Sequence, residues 1–319
     1  MPGVDRLKSM QVLVSIADRG SLTAAAEALG VSLPAVVRAL AALEADLGVR
    51  LFNRTTRRIA VTDEGRRYLE DSRRILQEVV DAGAALSAGA SEPQGPLSLT
   101  APVLFGQIYV APAVASFVRC YPKVSVDVQL FDRVTNLVEE GFDAAVRIGK
   151  LTDSTLIAQS IGSLRTLVVA SPGYLRRVGV PRHPRDLLRA NCVRFSGTSP
   201  PWWVFHKGGK RITVPVRGNL AFNQVAPVVE ACAAGLGFGR LISYQVAAHL
   251  ARGKLMAVLE DFEPAARPLS LVYPQARFLP NRTRLFLDWM KRELVRTIAT
   301  PHLAAETKVE TAKKVKTEM

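Results

Sequence analysis

Few residues of this chain could build a metal site or a disulfide framework. Its 319 residues include only three cysteines and four histidines. Cys120, Cys192 and Cys232 lie far apart and form no Cys-x-x-Cys pair, which predicts a reduced protein with buried thiols. The histidines are scattered without metal-ligand spacing. The sequence therefore predicts no metal ion and no other cofactor.

Motifs for catalysis and for membrane insertion are also missing. No nucleophile motif such as Gly-x-Ser-x-Gly accompanies a histidine and an acid. The GLGFG segment at residues 235–239 follows a helix pattern and precedes a strand pattern, the reverse of a dinucleotide-binding turn. No run of eighteen apolar residues occurs, and no secretory signal fits the N-terminus. We expect a soluble, cytoplasmic protein that is not an enzyme and has no membrane partner.

The positive charge of the chain is large but unevenly distributed. The formal net charge is +14. Residues 1–90 carry 12 basic and 11 acidic side chains, net +1, which leaves 30 and 17, net +13, for residues 91–319. The basic half could attract DNA at long range, favour an anionic ligand or simply solvate its own surface. Net charge alone therefore does not identify the partner.

The segment at residues 20–65 has start and stop signals for two helices joined by a tight turn. Ser21 and Ser32 each precede a helical run, where a serine can cap free amides, and Gly30 ends the first run. Only Val31 separates Gly30 from Ser32, as in a helix-turn-helix unit. Apolar spacings of four, three and four predict the core face of the second helix, at Val36, Leu40, Leu43 and Leu47.

The opposite face, near the start of the second helix, is where a recognition helix reaches base edges in the major groove of double-stranded DNA. Arg38 is the one strong polar reader there, and base contact, phosphate contact and simple solvation remain open for it. The other candidates for DNA contact in the two helices are Ser21, Thr23, Ser32, Leu33, Pro34, Ala35 and Val37.

A short basic hairpin follows the second helix. Four arginines and no acidic residue stand between Gly48 and Thr62, while Leu51 and Phe52 are expected to pack inward. Such a tip can sit on phosphates or enter a minor groove, and a merely solvated charge run is the alternative. The candidates for this wing are Arg54, Thr55, Arg57 and Arg58.

A long helix is predicted over residues 63–88, with Thr62 as its cap. It carries a heptad seam at Tyr68, Ser72, Ile75, Val79, Ala82 and Leu86. The seam needs a partner, which is a second copy of the chain, the winged domain of the same chain, or both.

Glycines and prolines at residues 89–96 indicate a hinge. Strand and helix patterns then alternate, with strands at 97–101, 124–130 and 143–148 and helices at 102–117, 136–141, 225–234 and 282–295. This alternation predicts an α/β domain over residues 94–296. Residues 297–319, rich in lysine and glutamate with few large apolar residues, are expected to form a mobile tail.

The helix-turn-helix segment and the basic hairpin resemble the signature of LysR-type transcriptional regulators. The pattern Ser-x-Pro-Ala-x-x-Arg, then Leu-Glu-x-x-Leu-Gly-x-x-Leu-Phe-x-Arg, then Thr-x-x-Gly runs from Ser32 to Gly65. Further motifs similar to one subgroup stand at residues 101–102, 137–149 and 170–175, so the resemblance covers about residues 5–296. Leu33 replaces a usual glutamine, Val37 a usual serine and Ile242 a usual proline.

The resemblance implies an α plus α/β fold. It consists of a winged helix-turn-helix domain at residues 5–62, a linker helix at 63–88 and a two-lobed, periplasmic-binding-protein-like α/β effector domain at 94–296. It implies a dimer or tetramer in which linker helices pair antiparallel. It also implies a sequence-specific regulator that binds an imperfect palindromic operator and is modulated by a small-molecule effector between the lobes.

In such folds a ligand lies near helix N-termini and strand ends, where free amides and loops converge. The candidates in the first lobe are Pro102, Val103, Leu104, Phe105, Asp132, Arg133, Arg147, Ile148 and Gly149, and those in the second lobe are Phe195, Ser196, Phe222 and Asn223. Arginines near an apolar cleft suggest a carboxylate effector. For each side chain, support of the fold is the alternative role.

Two other functions fit part of the pattern. One is a small-molecule sensor or enzyme whose N-terminal module contacts proteins. The other is an architectural DNA-binding protein that has no effector and protects many unrelated sequences.

Overall fold

The structure is a computed structural model that describes residues 5–54, 59–86, 92–151, 155–197, 201–275 and 279–299. The chain divides into two compact units, Met1–Ser91 and Glu92–Met319. The tip of the predicted wing and the predicted tail beyond residue 299 lie outside the described residues.

The first unit is built from helices and one hairpin. Its elements are α1 (Arg6–Arg19), α2 (Leu22–Leu29), α3 (Leu33–Leu47), β1 (Phe52–Arg54), β2 (Ile59–Val61) and α4 (Asp63–Leu86). Gly20, Gly30 and Gly48 end the first three helices with φ of 66°, 65° and 69°. This left-handed conformation costs glycine little, which is why the helices end at these positions.

The core of the first unit lies between α1, α2 and α3. Val36, Leu40 and Leu43 are fully buried there, as the apolar spacing predicts. Leu69 of α4 joins this core, so the first part of α4 packs on its own domain. Further along α4, Val79 is 49% exposed. The first part of α4 therefore packs against its own domain, whereas the predicted heptad seam at Val79 is exposed.

A carboxylate joins α3 to the hairpin. Glu44 Oε1 accepts hydrogen bonds from the backbone amides of Leu51, at 2.8 Å, and Phe52, at 3.2 Å. Thr62 Oγ1 donates to the carbonyl of Arg50 and accepts from the amide of Gly65, at 2.8 and 2.9 Å, which caps α4 as predicted. The hairpin is thus tied to a helix on each side.

The second unit alternates strands and helices. Its elements are β3 (Gly95–Ala101), α5 (Val103–Phe105), α6 (Ala111–Cys120), β4 (Val124–Leu130), β5 (Ala144–Ile148), β6 (Leu156–Leu164), β7 (Thr166–Ala170), α7 (Pro172–Val178), β8 (Arg194–Phe195), β9 (Trp202–Lys207), β10 (Lys210–Pro215), β11 (Ala221–Phe222), α8 (Val225–Ala233), β12 (Gly239–Ile242), α9 (Ser243–Ala251), β13 (Met256–Val258), β14 (Arg267–Pro274) and α10 (Asn281–Ala299). Short 3₁₀ helices lie at Pro184–Arg189 and Glu260–Phe262.

Two lobes result from the strand pairing. The first has a five-stranded sheet in the order β4-β3-β5-β14-β6, in which β3 runs parallel to β4 and β5 while β14 is antiparallel to β5 and β6. The second is built on the antiparallel sheet β12-β7-β13, with the pairs β9/β10 and β8/β11 beside it. The predicted two-lobed α/β architecture is confirmed.

The predicted helix at residues 102–117 is one helical run with a π-helical segment, Gly106–Val110, between α5 and α6. The run Val103–Cys120 is long and apolar enough to cross a membrane. However, Phe105, Val110 and Phe117 are fully buried in the core of the first lobe. One face of this run thus packs against the first-lobe core.

The predicted helix at residues 136–141 is wrong. This stretch forms hydrogen-bonded turns, in which the amides of Glu140 and Phe142 donate to the carbonyls of Asn136 and Leu137 at 2.9 and 2.8 Å. Gly141, at φ 73°, ends the segment after a single turn. One turn is too short to continue as a helix.

The chain crosses between the lobes after β6 and again before β14. Arg165, between β6 and β7, donates to both carboxylate oxygens of Glu263 at 2.9 and 2.7 Å and to Glu260 at 3.1 Å. Arg267, at the start of β14, donates to Thr166 Oγ1 at 3.3 Å. Hydrogen bonds between side chains thus join the two crossing segments.

We expect Glu44→Ala to loosen the hairpin, because two backbone amides lose their acceptor. Loss of such bonds costs about 1 to 3 kcal/mol, so amide exchange at Leu51 and Phe52 should quicken by about five- to 150-fold. Hydrogen exchange of the full-length protein, followed by mass spectrometry, measures this. Glu27→Ala removes an exposed carboxylate from α2 and is the matched control. Equal exchange in both variants would contradict the role of Glu44.

Candidate functional site

The turn between α2 and α3 has the geometry of a helix-turn-helix unit. The two helices are bent by 108° at the break, within the range of about 90° to 120° for this motif. Gly30 donates to the carbonyl of Glu27 at 3.2 Å and Val31 to that of Ala26 at 3.0 Å. These bonds satisfy the end of α2 and direct the chain into α3.

The start of α3 presents the predicted reading residues on the side away from the core. Leu33 is 41% exposed, and Pro34 and Arg38 are exposed as well. Ala35 and Val37 are half-buried. Residues four apart share a helix face, so Arg38 lies above Pro34 on the exposed side.

The two serines at the helix starts differ. Ser21 caps α2 with its hydroxyl, which accepts from the amide of Ala24 at 3.4 Å. Ser32 occupies the corresponding position of α3, but its hydroxyl makes no capping bond. The expected side-chain cap at Ser32 is therefore absent, and its hydroxyl is exposed beside the reading face, as is Thr23 on α2.

The wing begins and ends as an antiparallel hairpin, with Phe52 opposite Val61 and Arg54 opposite Ile59. Leu51 and Phe52 are buried, as predicted. The predicted contacts Thr55, Arg57 and Arg58 lie outside the described residues, and Arg54 is described by its backbone alone. The sequence does not reveal the bonds by which Glu44 fixes this hairpin.

In the first lobe, Asp132 lies against the start of the helical run. Its Oδ1 accepts from the backbone amide of Val103 at 3.1 Å. Its Oδ2 is buried and has no hydrogen-bond partner within the described part of the chain. Burial raises the pKa of this carboxyl, and the bond from Val103 opposes the shift. The predicted neighbours Asp132 and Val103 are thus brought together.

The two predicted arginines are engaged elsewhere in the first lobe. Arg133 donates to both carboxylate oxygens of Glu140 at 2.8 and 2.6 Å and lies over the ring of Phe131. Arg147 donates to the carbonyl of Thr135 at 2.7 Å and to its hydroxyl. Burial lowers the pKa of the Arg147 guanidinium. Both arginines therefore support the turns between β4 and β5.

The remaining residues at the end of β5 do not form one surface. Ile148 packs against the first-lobe core, and because successive strand residues face opposite sides, Arg147 points the other way. Gly149 donates to the carbonyl of Pro268 at 2.8 Å with φ of 120°. Pro102 accepts at its carbonyl from Gly106 at 2.7 Å. These backbone bonds give Gly149 and Pro102 a structural role.

The second-lobe candidates are brought together. Ser196 donates its amide to the carbonyl of Phe222 at 2.7 Å, joining the ends of β8 and β11. A side chain at Gly197 would collide with the Phe195 ring at 2.5 Å and approach the carbonyl of Asn223 at 3.2 Å. Phe195, Ser196, Phe222 and Asn223 thus share one end of the lobe.

Leu104 connects the two walls. It packs against the first-lobe core and also against the second-lobe cluster that contains Phe195 and Phe222. Phe105, in contrast, is fully buried and serves the core. The cleft expected between the lobes therefore borders on Leu104.

Two tyrosines beside this position were not predicted. The ring of Tyr244, from α9, lies 5.2 Å from that of Phe105 and 6.0 Å from that of Tyr109. Burial raises the pKa of the Tyr244 phenol, and the charge of Asp132 adds to the shift. No short-range pattern connects Tyr244 with the first lobe, so the sequence gives no signal for this contact.

Comparisons with known proteins match both units. Residues 7–66 match the model for bacterial regulatory helix-turn-helix proteins of the lysR family, and residues 90–295 match the LysR substrate binding domain. The transcriptional regulator PtxR of Pseudomonas aeruginosa is 36% identical over 291 residues, 91% of this chain and 93% of that protein.

Solved structures agree. CrgA, a LysR-type transcriptional regulator from Neisseria meningitidis, is 32% identical with a TM-score of 0.57, covering 90% of this chain and 98% of that one. A full-length AphB variant is 25% identical with a TM-score of 0.59, at coverages of 90% and 98%. The chain belongs to the LysR family and is a DNA-binding transcriptional regulator with an effector-binding domain.

Proposed function

We propose that the protein binds an imperfect palindromic operator as a homo-oligomer. A small molecule that binds between the effector lobes changes the subunit geometry, and with it the binding to DNA. The protein acts in the cytoplasm, where bacterial operators lie, and it performs no catalysis. Within the described ranges no group of three or more His, Cys, Asp or Glu side chains could hold a metal ion. The proposal rests on the start of α3, which is exposed and follows a turn with the interhelical angle of a helix-turn-helix unit.

Sequence recognition falls to the residues at the start of α3. Arg38 is exposed there and can reach a guanine edge in the major groove, whereas a phosphate contact would carry no sequence information. Leu33 is 41% exposed, and an apolar group at this place favours a thymine methyl. Ser21, Thr23, Ser32 and the wing supply contacts to the backbone. The operator half-site should therefore contain guanine and thymine near the helix start.

The effector acts through differential affinity. A ligand can shift the protein between two arrangements only by binding one of them more tightly. Two hydrogen-bonded connecting segments and the contacts of Leu104 join the lobes. A ligand that contacts Leu104 would therefore favour one orientation of the lobes over another. A carboxylate effector remains a prediction from Arg133 and Arg147. The bonds of these arginines to Glu140 and Thr135 do not favour it.

Arg38→Ala should weaken specific binding by about 1 to 3 kcal/mol and leave non-specific affinity nearly unchanged, because a base contact exists only at the operator. A duplex selected from random DNA by the full-length protein serves as operator, and a scrambled duplex of equal composition serves as competitor. Fluorescence anisotropy on both measures the ratio. Arg292→Ala, an exposed arginine of α10, is the control. Equal losses on both duplexes would make Arg38 a phosphate contact.

The exposed end of α4 should hold the subunits together. Val79 and Val80 are 49% and 59% exposed on a helix whose first part is already packed. Replacing both with glutamate places charges in an apolar interface, so the dimer dissociation constant should rise by about tenfold or more. Sedimentation velocity measures it. Arg67→Glu makes the same change in net charge off this stripe, and a similar shift in that variant would refute the interface.

A further inference from the structure

One stretch of the second lobe carries positive charge without any acidic residue. Residues 187–229, which include strands β8 to β11, contain no Asp or Glu. They contain six cationic side chains, namely Arg189, Arg194, Lys207, Lys210, Arg211 and Arg217. This stretch thus supplies +6 of the net +13 that residues 91–319 carry.

Four of these cations lie along strand β10. We call them the basic surface: Arg189, Lys210, Arg211 and Arg217, all of which are exposed. Two of them begin the strand and one follows its end. Arg189 lies beside the strand, because the adjoining Ala190 packs with Ile212 of β10 against the same core.

The chain itself does not neutralise the basic surface. Within the described ranges, none of its four side chains forms a hydrogen bond or an ion pair. Acidic groups elsewhere in this lobe are engaged. The carboxylate of Asp186 accepts from the backbone amides of Arg182 and His183, at 2.9 Å each, and Glu263 is held by Arg165. A partner from outside the chain would have to supply the negative charge.

The turn between β9 and β10 concentrates this charge at its tip. Gly208 and Gly209 have φ of 55° and 75°, as in the two-residue turn that joins a tight hairpin. Lys207 therefore stands directly opposite Lys210, and like charges in such pairs are destabilising. The Lys207 ammonium lies over the Phe262 ring, 4.3 Å from its centroid. Lys210 remains without a partner at the tip, where an anion would relieve the repulsion.

The extent of the basic surface fits a polyanion better than a small ligand. Strand β10 has six residues, which corresponds to a length of about 20 Å. No small anion could contact cations at both ends of such a strand, whereas DNA carries a negative charge about every 1.7 Å along its axis. The inner face of the β9/β10 ribbon packs on the lobe through Trp203, Phe205 and Val214, so the ribbon is held in place.

We propose that the basic surface contacts the phosphate backbone of the DNA to which the winged domain is bound. This inference rests on the proposed function, because binding by the winged domain raises the concentration of phosphates around the second lobe. The contact carries no sequence information and adds affinity that depends on salt. An acidic protein is the other possible occupant of such a surface.

The double variant Lys210→Gln, Arg211→Gln tests the contact. Both side chains are exposed and unpaired, so the variant should fold. Fluorescence anisotropy of the full-length protein gives the dissociation constant for the selected operator duplex, extended on both sides, over a range of salt concentrations. Loss of two phosphate contacts should reduce the slope of its logarithm against the logarithm of salt concentration by about two units.

Lys291→Gln, Arg292→Gln is the matched control, because it removes the same two charges from neighbouring exposed positions on α10. It should keep the slope of the unmodified protein. An unchanged slope in the Lys210, Arg211 variant, as expected if an acidic protein is the occupant, would overturn the proposal. So would an equal reduction in the control, which would indicate long-range attraction by net charge alone. Failure of the regulator function appears separately, as lack of preference of the unmodified protein for the operator over the scrambled duplex.

Discussion

The geometry of the effector domain depends on the ion pair between Arg165 and Glu263. Each lobe has its own apolar cores, and this pair joins the segment between β6 and β7 to the segment before β14, along which the chain passes from one lobe to the other. Both oxygens of Glu263 are used, and its side chain is only 16% exposed, so solvent screens the pair less than a surface salt bridge. The pair therefore holds the two connecting segments to each other.

Any rotation of one lobe against the other would disturb the packing of Leu104 and of α9. Leu104 contacts both cores, while α9 places Tyr244 in the first core and Val246 in a cluster of the second. A change in lobe orientation must therefore repack side chains that are largely buried. Packed interiors have few alternative arrangements, which favours a small number of discrete states over continuous bending.

The DNA-reading half could be predicted in detail because its signals are local. The cap at Ser21, the left-handed Gly30 and the spacing of Val36, Leu40 and Leu43 each act within a few residues. The role of Glu44 could not be read this way, since its partners are backbone amides that leave no mark on the sequence. The missing cap at Ser32 depends on a hydroxyl rotamer, which composition does not fix.

The two-lobed architecture was predictable from the sequence, but the partners of the predicted effector residues were not. Strand ends and the start of the helical run predicted Val103 and Asp132 as neighbours, and the structure joins them by a hydrogen bond. Which charge remains available there depends on tertiary partners. Arg133 pairs with Glu140, which lies in the turns found in place of the predicted helix at residues 136–141, and Tyr244 reaches the first-lobe core from α9.

The division of α3 into a buried and an exposed face has an evolutionary consequence. Stability resides in Val36, Leu40 and Leu43, whereas Leu33 and Arg38 contribute little to the core. Mutations on the exposed face can therefore accumulate without unfolding the domain, because surface substitutions rarely change stability much. A duplicated gene could acquire a new operator through a few such changes while it retains its effector domain intact.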